Sequence, residues 1–223
     1  MGYKITIDGP AGTGKGTLAK SLSEKLKIVN VDSGSLYRAF GLYAIRMNLD
    51  PNNIEKLEEA LANVEIELKE VDGKLLPHLN NENVEEYIRN EEVAKTTSKF
   101  ASIKQVREYI AVRQRRLAEG RNVIMEGRDI GSSVFPDAEL KIFLNADVQE
   151  RANRRHKQLL EKGEIISYEK ALNMIETRDR ADMTREVSPL IKTEDMIEID
   201  TTNLSIDEVV EKAMELVKMK GLI

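Results

Sequence analysis

Apolar and polar residues alternate at the start of the chain and then take up a helical spacing. Residues Tyr3 to Asp8 alternate and are rich in β-branched side chains, which is typical of a strand. After a glycine-rich stretch, Leu18, Leu22 and Leu26 recur at the spacing of one helical face. The chain therefore opens with a predicted strand, a loop and a helix.

Four further segments have the length and composition of buried strands. They are Val29 to Asp32, Asn122 to Met125, Leu140 to Leu144 and Met196 to Asp200. Helical or loop sequence separates each from the next. Strands that alternate with helices favour a three-layer α/β fold built on a five-stranded, mainly parallel sheet.

Two serines stand three residues before a glutamine or a glutamate, which is the spacing of a helix capping box. They are Ser102 with Gln105 and Ser205 with Glu208. Gly120 and Gly163 follow amphipathic stretches and suit helix C-termini. We therefore predict helices that begin at these serines and helices that stop at these glycines.

One segment interrupts the alternation of strands and helices. Val64 to Leu68 has a period of two, Asp72-Gly73 is a hairpin turn signal, and Lys74 to Leu79 is again extended. A small antiparallel β insert is predicted near residues 63 to 84.

Composition and charge exclude several classes of protein. The 223 residues include no cysteine, which excludes disulfides and thiolate nucleophiles, and His78 and His156 are too few for a histidine-rich metal cage. The sequence contains no apolar run near the ~18 residues of a membrane span and no signal-peptide core, so we expect a cytoplasmic protein without a membrane partner. A net charge of −5 argues against binding a nucleic-acid backbone, so an anionic ligand needs a focused basic site.

Residues Gly9 to Thr17 read GPAGTGKGT and contain the GxxxxGK pattern of a phosphate-binding loop. In such a loop the backbone N–H groups surround phosphate oxygens, the lysine reaches the β and γ phosphates, and the following helix adds its dipole. The position between a strand and a helix favours this interpretation over an ordinary glycine turn. The predicted ATP-binding residues of the loop are Gly9, Pro10, Ala11, Gly12, Thr13, Gly14, Lys15, Gly16 and Thr17.

Gly16 stands where many phosphate-loop proteins have a serine or threonine that binds magnesium. We therefore expect Mg²⁺ to come with ATP and to be held mostly through water and the nucleotides. Glu126 ends an apolar strand, where a carboxylate can orient the ion through water. No direct protein ligand of the metal is predicted.

The phosphate loop resembles that of the nucleoside monophosphate kinases, which also carry Gly-Thr after the lysine. Three later blocks look like bacterial cytidylate kinase: DSGSLYR at 32–38, EGRDIG with VFPDA between 126 and 138, and RDRAD with Arg185 and SPL between 178 and 190. The resemblance implies one kinase unit over residues 1–223, with a core at 1–32, 100–150 and 190–223. It also implies a monophosphate-binding region with the insert at 33–99 and a lid at about 151–167.

The resemblance also implies roles for single residues. It assigns catalysis to Lys15, Arg128 and Arg178 and places Arg154 at ATP. The CMP-binding residues that it implies are Ser33, Arg38, Ser98, Arg107, Asp129, Arg178, Asp182 and Arg185. Among them, Asp129 would accept a hydrogen bond near the cytosine amine.

Structural alternatives stand beside these roles. Ser33 or Ser35 could cap a helix next to a surface Arg38, and Asp129 could form an ion pair with Arg128 alone. The basic clusters could be ion-paired helix faces instead of phosphate sites. These clusters are Arg151, Arg154 and Arg155, and Arg178, Arg180 and Arg185, with Glu150, Glu161 and Asp182 as possible partners and Asp179 and Asp182 as possible orienting groups.

The resemblance implies a monomeric enzyme of pyrimidine metabolism that transfers a phosphoryl group from MgATP to CMP or dCMP, giving ADP and CDP or dCDP. Because the acceptor phosphate is already anionic, no general base is required, and positioning, lid closure and charge stabilisation supply the rate. A kinase for another small acceptor remains open, because a phosphate loop does not specify the acceptor. A nucleotide-gated switch is a third reading, against which the sequence lacks an Asn-Lys-x-Asp motif.

Overall fold

The computed structural model describes residues 2–71 and 73–223 and divides into two compact units. The first unit lies within residues 1–30 and 121–223, and the second within residues 31–120. Helix Lys104–Ala118 therefore groups with the second unit. The finer division into core, monophosphate region and lid stays a prediction.

A five-stranded sheet with the order β2-β6-β1-β7-β8 organises the fold. The strands of the described residues are β1 (Lys4–Asp8), β2 (Val29–Asp32), β3 (Ile66–Val71), β4 (Lys74–Leu79), β5 (Glu82–Asn83), β6 (Val123–Glu126), β7 (Leu140–Asn145) and β8 (Ile197–Asp200). Strand β1 pairs in parallel with β6 and β7, and β7 pairs in parallel with β8. The predicted α/β fold with a mainly parallel sheet is confirmed.

Helices connect the strands, as the alternating pattern predicts. They are α1 (Lys15–Leu26), α2 (Ser33–Arg46), α3 (Ile54–Asn63), α4 (Glu91–Phe100), α5 (Lys104–Ala118), α6 (Val148–Glu161), α7 (Tyr168–Thr184) and α8 (Ile206–Met219). A single π-helical turn, Ile130–Val134, follows β6. Within the described residues, none of the helices is long and apolar enough to cross a membrane.

The core of the first unit forms where α1 and α8 pack on the sheet. Leu18 and Leu22 of α1 are fully buried against Ile5 and Ile7 of β1 and Val217 of α8. Burial of a leucine side chain contributes about 1.5–3 kcal/mol to the stability of the fold. The buried leucines therefore hold α1, and with it the start of the helix, in place on the sheet. The phosphate loop is thereby held between two buried elements.

The predicted helix ends are confirmed except at Ser102. Ser205 forms the complete capping box with Glu208, and Gly120 and Gly163 follow α5 and α6 with positive φ angles. At Ser102 the prediction is wrong, because α5 is preceded by Ile103 and the Ser102 hydroxyl donates to Lys99 O at 2.8 Å. That hydroxyl satisfies the end of α4 and not the start of α5.

The predicted antiparallel insert is present as a three-stranded sheet, β3-β4-β5, in the second unit. Its turn contains Gly73 with a φ of 72°, while the predicted turn residue Asp72 lies outside the described residues. Two side chains of α5 reach carbonyl groups at the start of this sheet: Tyr109 Oη donates to Val64 O at 2.6 Å, and Arg113 Nε donates to Ile66 O at 3.1 Å.

Candidate active site

The phosphate loop joins β1 to α1 through backbone conformations that require glycine. Gly9, Gly12 and Gly14 have φ angles of 148°, 80° and 90°. At Gly9 a Cβ atom would also lie 2.1 Å from the carbonyl oxygen of Leu144. The loop is therefore fixed both by its own torsions and by the neighbouring strand β7.

Lys15 lies folded into its own loop. Its side chain is buried, and Nζ donates to Pro10 O at 2.7 Å and approaches Thr13 Oγ1 at 3.5 Å. Burial, together with the positive charges of Arg128 and Arg178, lowers the pKa of Lys15 to about 7, while the negative charge of Glu126 partly offsets them. A bound polyphosphate would reverse this balance by stabilising the ammonium form.

The N-terminus of α1 is suited to an anion. Its first turn carries no acidic side chain, and Gly14, Gly16 and Thr17 are exposed. Backbone N–H groups in this turn have no partner within the helix and carry the positive end of the helix dipole. This is the chemistry by which helix N-termini hold phosphate.

Glu126 stands beside this helix end, as the sequence predicts for a strand-terminal carboxylate. Its Oε1 is 3.4 Å from the position that a Cβ on Gly16 would occupy, and its charge acts on Lys15. Among the residues that the structure describes, no group of three acidic or histidine side chains could hold a metal ion. Glu126 therefore lies beside the start of α1, and its role toward a nucleotide-bound cation stays a prediction.

Asp8 is a buried carboxylate that the sequence interpretation missed. It accepts hydrogen bonds from Ile130 N at 2.9 Å and Gly131 N at 2.7 Å, which fix the turn directly after Arg128 and Asp129. Burial raises the pKa of Asp8 to about 6, against the two backbone donors that lower it. A signal for this role was present in the sequence. Asp8 is a carboxylate at the buried C-terminal end of a strand, directly before the glycine loop.

Arg128, Asp129, Asp182 and Arg185 form one ion-pair network in the first unit. Arg128 Nε donates to Asp182 Oδ2 at 2.8 Å, and Arg185 contacts Asp129 at 3.2 Å and Asp182 at 3.4 Å. The structure thus pairs Asp129 with Arg185, and Asp182 orients both arginines. Burial acts to raise the pKa of Asp182, but Arg128 and Arg178 outweigh it and lower that pKa.

Arg178 belongs to α7 and is exposed, in contrast to the buried network. Its charge nevertheless lowers the pKa of both Lys15 and Asp182. The structure therefore places Arg178 in the same electrostatic environment as the phosphate-loop lysine. An exposed guanidinium there can pair bidentately with an incoming phosphate.

Two of the three arginines of α6, Arg151 and Arg154, have different surroundings. Arg154 pairs with Glu150 at 2.9 Å, as the helix-face alternative predicts, and also donates to Thr201 Oγ1 at 3.0 Å and Thr201 O at 2.7 Å. Arg151 is buried and contacts Asp179 of α7. Both arginines are engaged with protein groups at the start of the predicted lid.

In the second unit, Asp32 organises the predicted acceptor residues of α2. Arg38 donates to Asp32 Oδ2 at 2.5 Å, and Ser35 Oγ donates to the same oxygen at 2.9 Å. Helix α2 begins at Ser33, which is buried, and Arg38 is 21% exposed, so neither a serine cap nor a surface arginine describes them. Burial acts to raise the pKa of Asp32, but Arg38 and the Ser35 hydroxyl lower it.

Arg107 and Ser98 occupy different environments in the same unit. Arg107 is buried on α5, where Nη1 donates to Ala101 O at 2.9 Å and the guanidinium lies 5.4 Å from the Tyr37 ring. Ser98 is exposed on α4. The aromatic contact with Tyr37 orients the Arg107 guanidinium.

Comparison with known proteins gives a consistent result. A family model described as Cytidylate kinase matches residues 5–219. A cytidylate kinase of Caldicellulosiruptor saccharolyticus is 49% identical over 212 residues, covering 95% of this chain and 94% of the relative. A cytidylate kinase of Bacillus velezensis is 47% identical over 217 residues, covering 97% of each chain.

Proposed function

Because the chain belongs to the cytidylate kinase family, we propose that it transfers the γ-phosphoryl group of MgATP to CMP or dCMP. The products are ADP and CDP or dCDP, in pyrimidine nucleotide metabolism. The observation that carries the proposal is the position of Lys15, buried in a glycine loop and within the field of Arg128 and Arg178. Positive charge focused in this way is what an otherwise acidic chain needs to bind a polyphosphate.

On the donor side, residues Gly9 to Thr17 and Arg154 bind ATP. Lys15 leaves Pro10 O and turns to the β and γ phosphates, while the N–H groups at the start of α1 bind phosphate oxygens. Glu126 would orient the Mg²⁺ that ATP carries through water, and the ion would supply positive charge to the phosphates.

On the acceptor side, eight residues are proposed to bind CMP. They are Ser33, Arg38, Ser98, Arg107, Asp129, Arg178, Asp182 and Arg185. The arginines neutralise the acceptor phosphate, and Asp129 accepts a hydrogen bond near the cytosine amine. Asp129 and Asp182 also hold Arg185, so base recognition and phosphate recognition share one network.

The transfer itself needs no general base. An oxygen of the acceptor phosphate forms a bond to the γ phosphorus while the bond to the β–γ bridging oxygen breaks, and the electron pair stays on ADP. Lys15, Arg128 and Arg178 stabilise the charge that spreads over the moving group, and one such arginine is worth about 10³ to 10⁵ in rate. The lid at about 151–167 excludes water, so that ATP is not hydrolysed. We propose that the enzyme is cytoplasmic and acts as a monomer. Sedimentation of the purified protein would test the monomeric state.

The deciding experiment measures ADP formation from MgATP with CMP, dCMP, UMP, AMP or GMP, and without acceptor. The proposal predicts fast turnover with CMP and dCMP alone. Fast turnover with another acceptor would assign a different kinase specificity. ADP formation that is slow and indifferent to every monophosphate would favour the nucleotide-gated switch and contradict the proposal.

A further inference from the structure

The backbone of Ala11, at the tip of the phosphate loop, is held on both of its polar groups. Ala11 N donates to Asp179 Oδ1 at 3.0 Å, and Arg151 Nη1 donates to Ala11 O at 3.1 Å. Ala11 itself is only 6% exposed. Side chains from elsewhere in the chain therefore set the orientation of the peptide groups on either side of this residue.

The two side chains that hold Ala11 also hold each other. Arg151 Nη1 contacts Asp179 Oδ2, and the two side chains are 8% and 9% exposed. Arg151 Nε donates in addition to Ala146 O at 2.9 Å. Because a buried charge without a partner is costly, each member of the pair depends on the other and the geometry is tightly defined.

Packing adds a steric element to these bonds. A Cβ on Gly12 would lie 3.1 Å from both Cβ and O of Arg151, so α6 lies directly against the loop. Asp179 accepts from the Ala11 N–H, so Ala11 lines the proposed ATP site without donating this N–H to a phosphate. The N–H groups that remain for an anion are those nearer the start of α1.

We infer that the Arg151–Asp179 pair is a positioning device that sets the phosphate loop for ATP before the nucleotide arrives. The inference rests on the proposed function. Arg151 lies in α6 and Asp179 in α7, the helices on either side of the connection through residues 162–167. The pair therefore joins α6, where the proposed lid begins, and α7, which follows the lid, to the loop that binds the donor phosphates.

The test is Asp179→Asn, with nucleotide binding measured by calorimetry. Asparagine keeps the size but replaces one acceptor oxygen by a donor, so either Ala11 N or Arg151 loses its bond. We expect Kd for the magnesium complex of β,γ-imido-ATP to rise on the order of tenfold or more, because small misplacements of a binding group are costly. Kd for CMP, titrated alone, should stay unchanged.

Asp195→Asn is the matched control. Asp195 pairs with the buried Lys141 in the same unit, and neither member of this pair belongs to the phosphate loop. It should leave both Kd values at the wild-type level. If Asp179→Asn does not fold by circular dichroism, Arg151→Lys replaces it, because one ammonium cannot reproduce the three bonds of the guanidinium to Ala146 O, Ala11 O and Asp179.

Each result is decisive for one of the two proposals. Wild-type affinity for the ATP analogue in a folded Asp179→Asn or Arg151→Lys protein overturns the positioning role. Equal losses of ATP-analogue and CMP binding also overturn it, because they indicate general loosening. If the wild-type protein binds no ATP analogue, the proposed function itself fails and the inference fails with it.

Discussion

Lys15 is the residue whose protonation depends most directly on its ligand. Since burial lowers its pKa to about 7, much of the side chain is neutral at pH 8 in the protein without nucleotide. Phosphate charge favours the ammonium form, so ATP binding at pH 8 should take up about one proton, and binding near pH 5.5 should take up none at this group. Calorimetry in two buffers with different ionisation enthalpies measures this uptake, and none at pH 8 would contradict it.

Replacement of the same lysine tests its role in transfer. Lys15→Met should reduce turnover by at least about 100-fold, the scale for loss of one charge-stabilising donor. The fold should remain, because Lys15 Nζ donates only within its own loop in the contacts described above. Lys20→Met, an exposed lysine on the same helix, is the control and should keep wild-type turnover. Wild-type activity in a folded Lys15→Met protein would refute the assignment.

Asp8 should give stability an unusual pH dependence. Its pKa is raised from 3.8 to about 6 in the folded protein, so the folded state holds the extra proton between these values. The proton on Asp8 therefore adds its full contribution to the free energy of unfolding below pH 4. This contribution is lost as the pH rises through 6, and the change is about 3 kcal/mol. Urea unfolding of wild type and Asp8→Asn between pH 4 and 7 should show the advantage of wild type shrinking by that amount. A difference in the free energy of unfolding that stays constant between pH 4 and 7 would contradict a raised pKa of Asp8.

At the scale of elements, two serines with the same sequence signal have different structural roles. Ser205→Ala should lower the free energy of unfolding by about 1 kcal/mol, because it removes a capping box at the start of α8. Ser102→Ala should cost less, since Ser102 donates to Lys99 O and does not cap α5. Urea denaturation of both variants measures the difference. Equal losses would mean that the Ser205 cap contributes nothing beyond an exposed hydroxyl.

The strands and helices were predictable because their signals are local. The composition of two segments, Tyr3 to Asp8 and Leu140 to Leu144, is enough to predict buried strands. Both strands end within one residue of the prediction. The start of α5 was not predictable, because the choice between Ser102 and Ile103 depends on how α4 ends. A capping signal therefore indicates a nearby helix end without deciding which helix it serves.

The same distinction applies to the site. The phosphate loop could be found in the sequence, since its torsions and its lysine lie within nine consecutive residues. The hydrogen-bond and ion-pair partners around the loop could not be found in the sequence. Asp8 bonds to Gly131, and Arg185 to Asp129, across more than fifty positions. Only the three-dimensional arrangement pairs Asp129 with Arg185 and Arg128 with Asp182.

For the whole molecule, ligand binding should be visible as stability. A ligand that binds only the folded state adds about 2.7 kcal/mol at one hundred times its Kd, so MgATP should raise the unfolding temperature of the wild-type protein. In Lys15→Met the rise should be much smaller at the same concentration. A thermal scan with and without MgATP measures both. An equal rise in the two proteins would place ATP binding away from the phosphate loop.

The contacts of Tyr109 and Arg113 with the chain at and just before the start of β3 have a consequence for association between molecules. Strand β3 lies at the edge of its small sheet, and unsatisfied groups on such an edge can pair with a strand from another chain. The phenol and the guanidinium already occupy the carbonyl oxygens of Val64 and Ile66. A strand that paired with the beginning of β3 would have to displace both, so helix α5 protects this end of the edge against aggregation.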